Sequence, residues 1–191
     1  MSEIVDFNNT DNSDKIKKMV LAALFAALIA VGSYIRIPVG PIPITLQTFF
    51  VLLAAVTLGR KWGVVSVIVY LLVGFIGFPV FTGGGGGIGI LFGPTGGYLY
   101  SFVLVAYLVG LLSDKLNTKL IPLFVISIFI ISALGSFLIL GIGTAHLAVF
   151  AGREIYTAFL IGFVPFVAGD LIKSVAVALV APVVRKKFNR V

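Results

Sequence analysis

The chain has 191 residues, 60% of them hydrophobic and only 11% charged, with a formal net charge of +7 and a mean hydropathy of +1.18. Soluble domains average about 25% charged residues, so the composition points to an integral membrane protein and argues against a nucleic-acid-binding domain, which would need a basic face on a folded surface. There is no cysteine, which removes disulfides and thiolate metal sites.

Residues 1–14, MSEIVDFNNTDNSD, are polar and acidic and read as a mobile cytoplasmic tail. Residues 15–191 read as a single membrane domain of six helices with an external substrate pocket. A helix needs about 20 mostly apolar residues to cross the hydrocarbon core, and no charged residue occurs between Lys18 and Arg36, Arg36 and Arg60, Lys61 and Asp114, or Lys119 and Arg153. The apolar runs and turn signals place helices at about 16–35, 45–59, 62–77, 95–113, 119–141 and 164–185.

The first helix follows a basic patch but ends in GSYIRIPVGPIP without a small-residue cleavage site, so it reads as retained and not as a signal peptide. Its alanines recur four apart, Ala22 with Ala26 and Ala23 with Ala27, giving a flat strip that another helix can approach closely. That neighbour is either another helix of this chain or a partner. ITLQTFF (44–50) opens the second helix, with Thr45 as a helix cap and Gln47 as a buried amide needing an internal partner or a ligand. The second and third spans are short and joined by a tight basic turn, GRKWG (59–63).

FTGGGGGIGILFGPTGGY (81–98) lacks the lysine of a phosphate loop and the βαβ context of a dinucleotide site. It reads either as a flexible outer linker or as a backbone-lined wall of Gly83, Gly84 and Gly85. In the second reading Phe81, Phe92 and Tyr98 supply apolar surface, and Thr82 and Thr95 supply small polar groups. The connection at 142–163 reads as an outer loop in which HLAVFAGREIYTAFLIGF (146–163) forms a short interfacial helix. His146 is a lone loop histidine, and Arg36 and Arg153 face outward, read either as attracting an anion or, as charges this close to lipid more often do, as binding headgroups.

Orientation follows from the basic residues. Lys15, Lys17, Lys18, Arg60, Lys61, Lys115, Lys119, Arg185, Lys186, Lys187 and Arg190 fall on one side, against Arg36 and Arg153 on the other. Six spans with both termini in the cytoplasm follow.

The last helix carries the most informative stretch, VAGDLIKSVAVALVAPVV (167–184). Asp or Lys at a helix centre costs about 2.5–3.5 kcal/mol each on insertion scales, and each large apolar residue returns only about 0.3–0.6 kcal/mol. Asp170 and Lys173 therefore do not face lipid. Their i, i+3 spacing puts them on one helical face, pointing into the bundle or a cavity. As an internal salt bridge they would only fix packing. As a site, a carboxylate beside a three-hydrogen donor suits a neutral polar group offering both N–H and C=O. No nucleophile, base and acid constellation accompanies them, which weakens a membrane enzyme using Asp170, and no charged ring or relay supports a channel.

Three ordered motifs, GPIPITLQTFFVLLA (40–54), PVFTGGGGGIGILFGPTGGYL (79–99) and PFVAGDLIK (165–173), together resemble the BioY family, the biotin-specific S components of energy-coupling factor (ECF) transporters. The likeness runs from about residue 16 to 187. It implies a non-enzymatic, multi-pass protein of a prokaryotic plasma membrane that captures biotin on its outer side as substrate, with no cofactor or metal. It implies docking through Ala22 and Ala26, or Ala23 and Ala27, onto a transmembrane coupling protein (EcfT), energised by two cytoplasmic ECF ATPases. Asp170 and Lys173 would meet the ureido group, helped by Gln47 and the glycine loop. An S component for another small vitamin and a solitary facilitator are the alternatives.

Overall fold

The computed structural model describes residues 3–39, 42–116 and 121–188. The protein is an all-α integral membrane protein. Its elements are α1 (Glu3–Tyr34), β1 (Arg36–Ile37), β2 (Ile44–Thr45), α2 (Gln47–Phe75), α3 (Ile88–Leu91), α4 (Gly96–Asp114), α5 (Ile121–Ala151), α6 (Ile155–Gly162) and α7 (Val164–Phe188). Five of these helices are long and apolar enough to cross a membrane.

α2 holds the two short spans expected at 45–59 and 62–77. Its backbone leaves the helical region at Gly59, where φ is 74° and ψ is −178°. Gln47 Nε2 donates to the Tyr70 hydroxyl, 23 residues further on, a distance of about 34 Å along an unbroken helix. The chain must therefore double back at Gly59 into two limbs, 47–58 and 60–75. Gly63 lets the limbs close up, since a Cβ there would lie 2.9 Å from Ala55 Cα.

This hairpin is the centre of the bundle. α2 packs against α1, α4 and α7, while α4, α5 and α7 close the other side. Val51, Leu52, Ala54, Ala55 and Val56 in its first limb are wholly buried. The outward-facing residues are large and apolar, and the polar residues within the spans face inward beside an apolar core. On α7, Ile172, Leu179 and Val183 are exposed, whereas Asp170, Lys173, Ser174, Val177 and Ala181, spaced three or four apart, face inward.

The ends of the bundle are tied by polar contacts. Around the Gly59 turn, Arg60 N–H donates to Asp114 Oδ2 (3.2 Å), Ser113 Oγ to Val56 O (3.0 Å), and Arg185 Nη1 to Ser113 Oγ (2.9 Å). Asp14, Lys17, Lys18, Gly59, Asp114 and Arg185 line one polar cleft there. Lys119 and Arg190, which the sequence places on the same side, lie outside the described residues, as do Gly40 and Pro41. At the opposite end, β1 pairs antiparallel with β2, Arg36 facing Thr45, and Leu46 N–H donates to Gly32 O (3.0 Å).

Two boundaries differ from the sequence expectation. α5 runs ten residues past 141, so most of the expected loop at 142–163 is helix, and α6 follows after only a short turn. Gly143 lies inside α5 and serves packing: a Cβ there would meet the Tyr98 ring at 2.2 Å. His146 is accordingly a helical residue, its Nε2 3.0 Å from Gly93 O. Helical backbone also begins at Glu3, within the segment expected to be a tail.

The backbone region of Gly59 is essentially restricted to glycine, and an added Cβ would lie 2.3 Å from Asp114 Oδ1. Gly59→Ala is expected to lower stability by at least about 1–3 kcal/mol, read as a fall in the thermal unfolding midpoint in detergent. An unchanged midpoint would contradict the fold-back.

Candidate functional site

A cavity of about 310 Å³ lies among the start of α2, the 76–95 connection, the start of α4, the middle of α5 and the first turns of α7. Two polar clusters line it. The first is built on α7 and α2. Lys173 Nζ donates to Asp170 Oδ1 (2.7 Å) and to Thr48 Oγ1 (2.8 Å), and Thr48 Oγ1 donates to Asp170 Oδ1 (3.3 Å). Asp170 is 3% and Lys173 8% exposed. The α7 backbone is fixed beside them by Ser174 Oγ, which donates to Asp170 O (2.8 Å).

Both contacts to the carboxylate within this triangle fall on one of its oxygens. Asp170 Oδ2 is buried without a hydrogen-bond partner among the described residues. A buried acceptor left open is costly, more so when charged. Two bonds from an ammonium also leave Lys173 one further hydrogen. The pair is closely joined and lines the cavity, with Asp170 Oδ2 left buried and unpartnered.

The second cluster centres on Gln47. Its Oε1 accepts from Thr82 Oγ1 (2.8 Å) and Thr45 Oγ1 (3.1 Å), and its Nε2 donates to Tyr70. Gln47 thus has internal partners and also lines the cavity, fixing the 76–95 connection to the α2 hairpin. Thr45 lies in β2, and Leu46 takes the cap position of α2 without a side-chain cap bond. The remaining walls are apolar, chiefly Phe81, Leu99, Phe102, Ile139, Leu140 and Phe166. Phe81 is 1% exposed and meets Tyr70 edge-on at 5.6 Å.

Of the residues expected at the site, Asp170, Lys173, Gln47, Thr82, Thr95, Phe81 and Tyr98 come together around this cavity. Phe92 does not; it is 65% exposed and packs edge-on against Tyr100. Gly83, Gly84 and Gly85 are not among the residues that line it; added Cβ atoms there would meet Arg36, Tyr34 and Ile90 respectively. The φ > 0 turns of the glycine segment let side chains of the same connection reach the cavity. Arg36, Thr48 and Ile90 also line it. Thr48 had no distinguishing signal, since a threonine in a helix usually bonds its own backbone. Ile139 and Leu140 are unremarkable residues in an apolar run.

The alanine strip divides. Ala22 and Ala26 are buried against the chain's own bundle, while Ala23 and Ala27 face outward. Among the described residues no cluster of His, Asp and Glu could hold a metal ion.

The model of the BioY family matches residues 6–190. A biotin transporter BioY of Thermotoga maritima is 45% identical over 168 residues, covering 87% of this chain and 94% of that protein. The biotin transporter BioY2 of Lactococcus lactis is 42% identical, over 86% of this chain and 88% of that one. A probable biotin transporter BioY of Pyrococcus horikoshii is 38% identical, over 87% and 95%. A crystal structure of the S-component for biotin from an ECF-type ABC transporter superposes with a TM-score of 0.83 at 29% identity, over 92% of this chain and 94% of that one.

The Tyr98 ring lines the cavity, but its hydroxyl donates to Gly162 O (2.7 Å) and lies 3.3 Å from Thr144 Oγ1. Tyr98→Phe leaves that buried carbonyl without this donor. It is expected to cost about 1–3 kcal/mol, measured as a lower unfolding midpoint in detergent.

Proposed function

The chain belongs to the BioY family, and on that premise we propose that it is the substrate-binding membrane subunit of an ECF-type ABC transporter, capturing biotin in the cavity beside Asp170 and Lys173. The observation that carries the reading is the open oxygen of Asp170 next to the Lys173 ammonium. The ureido ring of biotin offers two N–H donors and one carbonyl acceptor. Asp170 Oδ2 accepts from an N–H and Lys173 donates to the carbonyl. Hydrogen bonds to charged groups contribute about 1.5–3 kcal/mol each. Phe81, Phe102 and Phe166 enclose the apolar rings and chain, and Gln47 and Thr82 hold the connection that covers them. The relatives are named as transporters, which leaves no support for a membrane enzyme using Asp170.

The protein crosses the membrane several times. In this reading it does so six times, counting the limbs of α2 separately, with both termini and residues 1–14 in the cytoplasm. The basic residues support that orientation: Lys17, Lys18 and Arg185 share the end away from the cavity, so the cavity faces outward. The membrane is the plasma membrane of a prokaryote. No nucleotide motif occurs in the sequence, so energy comes from partners: a transmembrane coupling protein (EcfT) and two cytoplasmic ECF ATPases. Ala23 and Ala27, the outward pair of the alanine strip, are the docking residues; Ala22 and Ala26 are already covered.

Equilibrium binding to the purified protein tests this. Asp170→Asn and Lys173→Met are each expected to weaken biotin at least about tenfold, equivalent to about 1.4 kcal/mol. The double variant leaves no lone buried charge and separates lost binding from lost folding. Undiminished affinity in these variants would refute the site. Saturable binding of thiamine or riboflavin with none of biotin would keep the transporter class and overturn the substrate.

A further inference from the structure

Biotin carries a carboxylate that the Asp170 and Lys173 pair does not address. We propose, resting on the biotin reading above, that Arg36 is the specificity-determining residue that holds this carboxylate at the mouth of the cavity. Among the described residues the charged side chains lining the cavity are Arg36, Asp170 and Lys173. The last two neutralise each other at 2.7 Å, leaving one uncompensated positive charge. A carboxylic acid with a pKa near 4 is a monoanion at neutral pH, so one anion balances the lining.

Geometry supports the assignment. Arg36 sits in β1 in register with Thr45, so a short ladder sets its backbone directly before the helix that supplies Gln47 and Thr48. Its guanidinium packs over Gly83, where φ is +83° and a Cβ would lie 2.8 Å from Nη1. Only glycine suits both the backbone and the close approach, which gives the glycine segment a role at the site without lining it. Arg36 is exposed, whereas Asp170 is 3% exposed: the cavity runs from a wet cationic rim to a dry ion pair, matching a molecule with a charged tail and a neutral ring. Among the described residues Arg36 forms neither of the ion pairs, so its fork is available for a two-point carboxylate contact.

The test compares biotin with its methyl ester, which keeps the ring and removes the charge, on wild-type protein and Arg36→Gln in detergent. Wild type is expected to prefer the free acid about ten- to hundredfold. Arg36→Gln is expected to lose that preference by weakening biotin while leaving the ester within about twofold, with Arg36→Lys restoring part of it. Retained preference, equal weakening of both ligands, or no change in either would overturn the proposal, the last favouring a lipid headgroup as the partner of Arg36. A wild type that binds both ligands equally would refute Arg36 and leave the biotin reading standing; one that binds neither would remove both.

Discussion

Two opposite charges held 2.7 Å apart inside an apolar bundle constrain everything packed around them. Neither Asp170 nor Lys173 could remain there alone, because an unpaired charge away from water is far costlier than a paired one. Pairing alone is a weak reason to keep them, since well-packed apolar residues serve stability as well or better. The arrangement is informative because it is incomplete. Thr48 from α2 joins the pair from α7, and both bonds that reach the carboxylate fall on one of its oxygens. The unpartnered oxygen and the adjoining recess are what support the proposed role in binding a polar neutral group.

The hairpin of α2 carries this site on one end and a different polar knot on the other. Near the cavity, Gln47 joins the two limbs through Tyr70 and holds Thr82 of the glycine-rich connection. At the turn, Asp114 receives the Arg60 N–H, and Arg185 reaches across from the last turn of α7 to Ser113. Both limbs and the ends of α4 and α7 thereby form one hydrogen-bonded frame. α1 stands at the edge of that frame, packed chiefly on α2, which leaves its Ala23 and Ala27 face clear.

The sequence made the membrane class, the fold-back at GRKWG and the ion pair legible for one reason: each violates what lipid permits unless a specific structure relieves it. A charge in an apolar run, or two short spans joined by a tight basic turn, has few physical solutions. Asp170, Lys173 and Gln47 could be read from their cost. Thr48 could not, and Arg36 could be read only as an outward-facing charge for an anion or a headgroup, with no sign that it borders the site. An arginine before a Pro-rich turn and a threonine in a helix are ordinary there, and only the β1 and β2 register and the α2 and α7 packing bring them to the cavity. The glycine segment misled in part, because its turns orient neighbouring side chains and Gly83, Gly84 and Gly85 are not among the residues that line the cavity.

The brevity of the second α2 limb has a consequence for the surrounding lipid. Residues 60–75 rise about 24 Å, against about 30 Å of hydrocarbon in a typical bilayer. Ile68, Leu72 and Phe75 are exposed along it, and Arg60 and Lys61 mark its charged end. Lys61 Nζ lies 5.9 Å from the ring of Trp62, the chain's single tryptophan, a pairing suited to the headgroup boundary. A span this short is matched by thinner hydrocarbon or by the exposed Ile76 and Phe78 that follow it, which makes that flank of the protein responsive to membrane thickness.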